Sequence, residues 1–452
     1  MRLKRLFIAF LTVTWGLMTP QVRASSPIEL SSQSYDFVKS VKYALSHSLR
    51  IDSATQNLEL AGLDSKVAIA RILPSLDLNS QFGLQSLPKI ATVSPANQVI
   101  SSVSLGLNET LYDNGVSYSL IRMSRIKNQI EELNLTKEKN KLCKEVGEQF
   151  LALGLQNKYL ESAREQFKLL QNQFDLVSQA YHQGLKTRKD YLRLQTDVER
   201  SQLELISLKS EVERQQSVLI QVMAMPETEA VGAQFTFDWK LSIFKSVPVE
   251  AAGAKVKIDL SQHFDAKLAR LQSTLNDLEV RQARRSLFPE SQLTSNFGYQ
   301  SSTFMGTPSG SFTDNGQWGW NVQLGLKYSF WDWGSRRSQS IMAEKKAQID
   351  QNTKTLQLAE LQVTLDDVVR RLAVMADSVK LSTELVQLEK NNYQSLETEY
   401  HNGKVSYLDL IGGLKNFNEA RAKLDSLSFE LRKWILEYHY HEGNLYDLVF
   451  AK

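Results

Sequence analysis

Few side chains in this sequence have the types and spacing that chemistry needs. His439 and His441 stand two positions apart near the end of a predicted helix, so they point to different sides and we expect no metal site there. Cys143 is the only cysteine of the sequence and cannot form an intramolecular disulfide; we expect a small residue packed in a helix. No phosphate-binding loop or nucleophile motif is present, and Asp and Glu are too dispersed for a catalytic pair. The sequence therefore predicts a protein that is not an enzyme, with no cofactor and no metal.

Two short stretches repeat the same arrangement of turn residues. Each ends in a glycine, which allows a tight reversal that residues with a β-carbon resist. A hydroxyl residue follows the glycine by three positions and an aspartate by six, where the macrodipole of a helix that starts nearby favours an acidic side chain. Turn chemistry alone accounts for this pattern. The residues are Gly184, Thr187 and Asp190 in the first stretch and Gly403, Ser406 and Asp409 in the second.

The turns close two long stretches that contain no proline. A continuous helix over the first, Gly115–Tyr181, would be about 100 Å long. Asp332 and Tyr400 stand 219 positions after Asp113 and Tyr181, so the second stretch is a copy of the first. Apolar residues recur every seven positions in both copies, which predicts helices that supercoil on their neighbours. These residues are Val146, Leu153, Leu160, Phe167, Phe174 and Tyr181, and Leu365, Leu372, Val379, Val386, Tyr393 and Tyr400.

Each half starts with a helix and a pair of strands, and ends with a helix that returns along the long one. The first helix of each half stops at a proline junction, because proline disfavours helix in the residue before it. The apolar period then switches to two, which is typical of strands with one apolar face. Helices are predicted over Ser34–Arg71, Thr187–Met225 and His263–Leu287, strands over Ser75–Leu87, Val99–Leu111, Gln234–Trp239, Leu293–Tyr299 and Trp318–Phe330, loops over Pro88–Asn97 and Ser301–Gln317, and an irregular tail from Gly443.

The composition is that of a folded protein, with apolar and charged fractions of 42% and 23%. The formal charge of +3, with basic and acidic residues interleaved, does not indicate nucleic-acid binding. A basic start and an apolar stretch from Leu6 to Leu17 predict a signal peptide over residues 1–24. A membrane anchor is the alternative, but the stretch is shorter than the roughly 20 residues of a span. We expect the mature protein to leave the cytoplasm and to enter a membrane, if it does, by its strands.

Four strands with one apolar face set a requirement on the assembly. In lipid an open sheet edge leaves backbone groups unsatisfied at several kcal/mol each, and four strands cannot close a barrel. Three chains would supply twelve strands, and the long helices would continue them as a tube. The alternatives are a soluble β-sandwich packed on helices and a solid coiled-coil stalk. The expected lumen residues are Asp77, Asn79, Gln81, Asn108, Asn296, Asn321, Gln323 and Lys327, and the expected interfacial residues are Trp318, Trp320, Trp331 and Trp333.

These features resemble those of the TolC-like outer-membrane efflux protein family. The resemblance is carried by the junctions Leu73-Pro74 and Phe288-Pro289, the Asp-x-Gly starts at 113 and 332, and the two glycine turns, and it covers nearly all of the mature chain. It implies a mainly α fold with membrane β structure, in which a homotrimer forms a twelve-stranded β-barrel continuous with a long α-helical coiled-coil barrel. The outer membrane would hold the barrel and the periplasm the helical tunnel.

The resemblance implies a passive exit duct of a tripartite efflux pump or a type I secretion system. A periplasmic adaptor and an inner-membrane pump or ABC transporter would be its partners. The alternative is a periplasmic or secreted coiled-coil structural protein. The implied segments are a signal peptide (1–24), first upper helix (25–74), first strand pair (75–112), first helical hairpin (113–226), equatorial segment (227–262), second upper helix (263–289), second strand pair (290–331), second helical hairpin (332–442) and tail (443–452).

The resemblance also implies roles for residues at the tips of the hairpins. Asp190 and Tyr400 match a link that holds the tunnel entrance closed, and Asp409 matches an aspartate that rings the narrow lumen. Val405 stands where an arginine often shares the first aspartate, so that ion pair is absent. Gly412 replaces a second acidic residue, so the ring would carry half the charge. The positions that match contacts with the adaptor are Gly184, Thr187, Gly403 and Ser406.

Overall fold

The chain folds into two equivalent halves of helices and long strands. The computed structural model describes residues 34–87, 96–230, 233–237, 244, 261, 263–304, 316–402 and 404–450, so the predicted signal peptide and most of the equatorial segment lie outside the described residues. The helices are α1 (Phe37–His47), α2 (Leu49–Ala70), α3 (Val116–His182), α4 (Arg188–Val222), α5 (Glu227–Ala230), α6 (Phe264–Arg285), α7 (Ser335–His401), α8 (Tyr407–Glu442) and α9 (Leu445–Phe450). The strands are β1 (Ser34–Tyr35), β2 (Ser75–Leu87), β3 (Ala96–Tyr112), β4 (Gln234–Phe235), β5 (Glu290–Phe304) and β6 (Gln317–Lys327).

The two longest helices, α3 and α7, have 67 residues each and begin with the same capping arrangement. The aspartate carboxylate accepts hydrogen bonds from two backbone amides, which satisfies two of the free N–H groups at a helix start. The glycine has φ of +78° in both copies, a left-handed conformation that is costly for residues with a β-carbon. The bonds are Gly115 N to Asp113 (3.1 Å), Ser117 N to Asp113 (2.6 Å), Gly334 N to Asp332 (3.1 Å) and Arg336 N to Asp332 (3.0 Å).

The four long strands form one antiparallel sheet in the order β2-β3-β5-β6. The two strand pairs join through β3 and β5, so the halves meet in the middle of the sheet. Beneath it, α3 packs against both α2 and α4, while α6 lies between α3 and α7, and α8 contacts α3 and α7. The sheet and the two antiparallel helical hairpins, repeated in two halves, confirm the predicted fold class.

A compact core lies halfway along the helices. It is formed by α1, the middle of α3, and parts of α4, α8 and α9. Phe37 of α1 lies edge-on to Phe150 of α3, with ring centroids 5.7 Å apart. Gly147 lets α1 and α8 approach α3 closely, since a β-carbon there would lie 2.8 Å from Leu436 Cδ1 and 3.2 Å from Phe37 Cε2. Apolar burial of this kind is the main force that fixes the helices to one another.

Three local predictions were wrong. The single helix over Ser34–Arg71 is broken at Ser48, whose extended backbone (ψ 119°) lets α1 enter the core while α2 runs along α3. The tail from Gly443 is helical, because Leu445 and Val449 are buried against the core. The predicted loop over Ser301–Gln317 is too long. Strand β5, paired with β3, continues past Ser301, and β6 already begins at Gln317.

Short strands β1 and β4 pair in parallel beside the core, where a strand over Gln234–Trp239 was predicted. The described strand covers its first two residues, and Trp239 lies outside the described residues. Among the helices that the structure describes, none is both long enough and apolar enough to cross a bilayer.

Candidate functional site at the sheet and the helical tips

The four-stranded sheet has one apolar face. Residues directly opposite each other in an antiparallel sheet share a face, so each row across the sheet has a single character. One row is Leu78, Leu105, Phe297 and Trp320. These side chains are 49–77% exposed, although water is a poor environment for such a surface. The face therefore needs an apolar environment that a single chain does not supply.

The other face of the sheet is polar and has few charges. Its next row is Asp77, Gly106, Asn296 and Asn321. Asn108 donates a hydrogen bond to Asp77 (3.1 Å), and Asn296 donates to Asn321 (3.3 Å). Most polar positions carry amides or hydroxyls, which interact with water without fixing one sign of charge. The predicted lumen residues thus lie together on this face, opposite the apolar one.

Two edges of the sheet are open. In the part of the chain that the structure describes, β2 and β6 each have a strand neighbour on one side only. Their unpaired backbone groups can bond to another strand, and an antiparallel arrangement of copies would place β6 beside β2 of the next copy. Trp331 and Trp333 lie just beyond β6 and are 68% and 90% exposed.

The first helical tip is closed by a glycine and an N-cap. Gly184 has φ of +74°, and apart from its neighbours in the chain no atom lies within 4 Å of the position that a β-carbon would occupy. Thr187 is the N-cap of α4: its hydroxyl accepts from the amide of Asp190 (3.2 Å) and donates to the Asp190 carboxylate (2.7 Å). Thr187 and Asp190, both predicted to be functional, are thus bonded to each other within one tip.

The second tip repeats the first with one more bond. Ser406 and Asp409 form a reciprocal capping box, in which the Asp409 carboxylate also accepts from the Ser406 amide (3.1 Å). Hydrogen bonds from the Ser406 side chain and backbone lower the pKa of Asp409 below its usual range. Asp409 therefore stays ionised at neutral and mildly acidic pH. Gly403, predicted to contact an adaptor, lies outside the described residues.

The two tips contact each other through Tyr400, which the sequence singled out, and through Lys186 and Tyr407, which it did not. The Lys186 ammonium of the first tip lies 5.7 Å from the centre of the Tyr400 ring of the second. Tyr407 lies edge-on to Tyr400 at 6.3 Å, and burial, with the nearby Asp197 and Tyr400, raises its pKa. A tyrosine in the first turn of a helix has no sequence signature of a tip contact. The predicted link between Asp190 and Tyr400 stays a prediction.

The candidate chemical residues lie elsewhere. Cys143 is fully buried in the core, and burial raises the pKa of its thiol to about 12, which makes it unreactive. Within the described ranges, no three His, Cys, Asp or Glu side chains are grouped as metal ligands. His441 instead lies against His263 of α6.

Comparison with known proteins shows what this chain is similar to. A family model described as outer membrane efflux protein matches residues 41–224 and 259–428. No curated protein matches the chain.

Three similar solved structures share the fold at low identity. The outer membrane protein VceC of Vibrio cholerae is 15% identical, with 90% of this chain and 96% of that chain covered and a TM-score of 0.76. The CmeC outer membrane channel of Campylobacter jejuni is 14% identical, with 90% and 85% covered and a TM-score of 0.77. The open state of the MtrE outer membrane channel of Neisseria gonorrhoeae is 14% identical, with 93% of each chain covered and a TM-score of 0.72.

Proposed function

Because this chain belongs to the outer membrane efflux protein family, we propose that three copies form a passive exit duct through the outer membrane for a tripartite efflux pump. The observation that carries the proposal is the four-stranded sheet, apolar on one face, polar on the other and open at both edges. Three such sheets joined edge to edge give twelve strands with every edge paired, as lipid requires. The apolar faces then meet lipid and the polar faces line a water-filled lumen.

The helices support the same assembly. Among the described helices, α2 and α4 make their main helix contacts with α3, and α7 makes its main contacts with α6 and α8, so the two sides of the layer are largely open. Exposed apolar residues follow both sides, which is typical of surfaces that pack against another copy. When one side of each copy packs against the opposite side of the next copy, the copies can close into a ring. The residues are Leu49, Leu60, Leu63, Val67, Leu192, Leu203 and Ile206 on α2 and α4, and Met342, Ile349, Leu356, Val363, Val374, Leu381 and Leu388 on α7.

The mechanism follows from a wall of this kind. A tube of α3, α4, α7 and α8 would reach about 100 Å from the membrane, since α3 and α7 each have 67 residues. The duct holds no energy source, so the pump would supply the work. The core around α1 and α9, with the equatorial segment 227–262, would surround the tube midway. Residues 1–24 would be removed as a signal peptide.

The tips would be the gate and the docking point. Gly184, Thr187, Gly403 and Ser406 would meet a periplasmic adaptor, which in turn binds an inner-membrane pump or an ABC transporter. Asp190 and Tyr400 would hold the entrance closed, and Asp409 would ring its narrowest part. A type I secretion system uses the same parts, and the lumen residues do not separate the two cargo classes.

One experiment tests the duct. The full-length protein is expressed with its leader, cells are fractionated, and the detergent-extracted protein is measured by native mass spectrometry. We expect outer-membrane fractionation and a trimer. A monomer that is soluble without detergent would contradict the proposal and favour a periplasmic coiled-coil structural protein. Photo-crosslinking in cells from position 187 or 406, compared with position 209 on α4, then tests whether the adaptor binds the tips.

A further inference from the structure

The helices carry a concentration of basic side chains on one side, directly below the sheet. Arg122 and Arg125 lie on one face of α3, within three turns of its start. Lys66 of α2 and Arg281 of α6 each stand eight positions before the proline that ends their helix, so they occupy equivalent places in the two halves. Arg337 of α7 is the counterpart of Tyr118 of α3 in the 219-residue repeat. We call Lys66, Arg122, Arg125, Arg281, Arg284 and Arg337 the basic collar.

The basic collar lies on the outside of the proposed helical tube, away from its lumen. Arg125 and Cys143 are 18 residues apart, which is five turns at 3.6 residues per turn, so both lie on the same side of α3. That side is covered at Cys143 by the core around α1 and α9. Three copies of that core would block a central channel, so it belongs on the outside of the tube. Arg122 and Arg125, nearer the sheet on the same side, are therefore outside as well.

The collar charges have little internal compensation. Arg284 forms an ion pair with Glu344 of α7 at 3.0 Å, which ties α6 to α7 on this face. In the described part of the chain, the other five make no hydrogen bond or ion pair with a side chain. Six basic residues are twice the formal charge of +3 of the whole sequence. The collar is thus a local excess of positive charge, and Arg forms five of its six positions.

The position of the collar indicates what balances this charge. Tyr118 of α3, 64% exposed, lies one turn nearer the sheet than Arg122, and Leu73 and Phe288 are exposed at the two junctions. Aromatic residues of this kind mark the level of lipid headgroups, and the exposed Trp331 and Trp333 lie at the same end of the sheet. The collar follows directly beneath. Guanidinium groups there can bond phosphate oxygens in a bidentate manner.

We propose that the basic collar binds the phosphate groups of anionic phospholipids in the leaflet that faces the helices. The proposal rests on the proposed function, because it takes the apolar sheet face as embedded in the outer membrane. The bound lipids would fix the depth of the barrel in the bilayer and compensate some fifteen unpaired positive charges in the trimer. Each basic residue at an anionic membrane surface strengthens binding about fivefold, since its contribution is about 1 kcal/mol.

The test uses the assembled full-length protein in detergent. An equal mixture of phosphatidylglycerol and phosphatidylcholine is added, and the lipids retained are counted by native mass spectrometry. The collar variant replaces Arg122, Arg125, Arg281 and Arg337 by Gln, and the matched control replaces the exposed Arg164, Lys168, Lys209 and Lys380 by Gln, which removes the same charge lower on the tube. We expect wild type and control to prefer phosphatidylglycerol, and the collar variant to lose this preference at least about fivefold, the contribution of one basic residue.

Two further arms keep the result interpretable. If the collar variant does not assemble, the wild type is titrated with salt, and the preference should fall as screening increases. Millimolar inorganic phosphate should not displace the lipid; displacement would show a free-phosphate site and overturn the proposal. Equal lipid binding by wild type and collar variant would also overturn it, because lipid binding would then not depend on the collar arginines. Failure of the proposed function is distinct, since wild type would then not form a membrane-embedded trimer.

Discussion

His263 and His441 stack on each other inside the protein, with His263 Nε2 3.0 Å from His441 Nδ1 and an angle of 25° between the rings. His263 is the N-cap of α6 and accepts from the Asp265 amide through Nδ1 (3.1 Å), so its Nε2 carries the proton and donates to His441. His441 Nε2 then faces Glu437 at 3.2 Å. Burial alone would raise the pKa of Glu437, but contacts with His441 and Lys144 outweigh it and lower the pKa to about 2.

The pair predicts how stability depends on pH. Burial lowers the pKa of His263 to about 4, against a smaller opposing effect of Asp265, while His441 and Lys137 lower it further. In the unfolded chain His263 is protonated below about pH 6.5, whereas in the folded chain it is protonated only near pH 4. The stability present at neutral pH is therefore lost progressively as the pH falls towards 4. We expect a lower apparent melting temperature at about pH 5 than at about pH 7.

The variant His263→Asn isolates this effect. Asparagine retains the N-cap and has no titration in this range. The difference in melting temperature between the two pH values should shrink in His263→Asn and stay unchanged in His182→Asn, where the histidine is exposed. An unchanged difference in His263→Asn would show that other groups set the pH dependence.

The sequence predicted this fold through its periods and its repeat, and it missed the places where packing decides. The seven-residue seam and the alternation in the strands report which face of an element is buried, so α3, α7 and the sheet were predictable. Ser48 breaks a helix because α1 and α2 bury different surfaces, which one amphipathic pattern does not reveal. His441 meets a residue 178 positions away, and Lys186 meets Tyr400 across two tips. Such contacts depend on how complete helices pack, and no local spacing encodes them.

The two N-caps predict the local stability of the tips. Ser406→Ala and Thr187→Ala each remove the hydroxyl that caps a helix, at a cost of about 1 kcal/mol. Amide hydrogen exchange in the first turns of α8 and α4 should then accelerate about fivefold in both variants, because each loses the two hydrogen bonds of its hydroxyl. Ser207→Ala is the control, since its hydroxyl donates to Glu204 in the middle of α4. Equal exchange in Ser406→Ala and Ser207→Ala would contradict the capping role.

The proposed gate predicts a change in conductance. Asp190→Ala combined with Tyr400→Phe removes the proposed link, so the single-channel conductance in planar bilayers should rise. Asp190 also takes part in the N-cap of α4. The effect of losing this cap on the conductance must therefore be separated from the effect of losing the link to Tyr400. Thr187→Ala removes the cap hydroxyl and keeps the Asp190 carboxylate. Conductance that rises equally in Thr187→Ala would assign the effect to the turn, and unchanged conductance in the double variant would exclude this gate.

The C-terminal helix predicts a sensitive position in the core. Leu445 is fully buried, and the Tyr446 amide donates to Asn140 of α3 (2.9 Å). Leu445→Ala leaves a cavity that costs about 2–5 kcal/mol, more than a six-residue helix can retain. We expect α9 to detach, which limited proteolysis near the C-terminus detects. Leu185→Ala, at an exposed position of the first tip, should show no such cleavage; resistance of Leu445→Ala would mean that other contacts hold α9.

The exposed apolar residues on α7 predict where neighbouring copies contact each other. Val363 is 70% exposed in one chain and lies among apolar residues spaced by seven. If the next copy covers these residues, Val363→Glu buries an unpaired carboxylate at each of three interfaces, at several kcal/mol each. The trimer should then dissociate to monomers in native mass spectrometry. Thr355→Glu adds the same charge two turns away, on the side of α7 that continues from Arg337 and faces outward, and should leave the trimer intact. If Val363→Glu assembled like wild type, α7 would not be an interface, and the ring proposed from the sheet edges would need another pair of helices to close it.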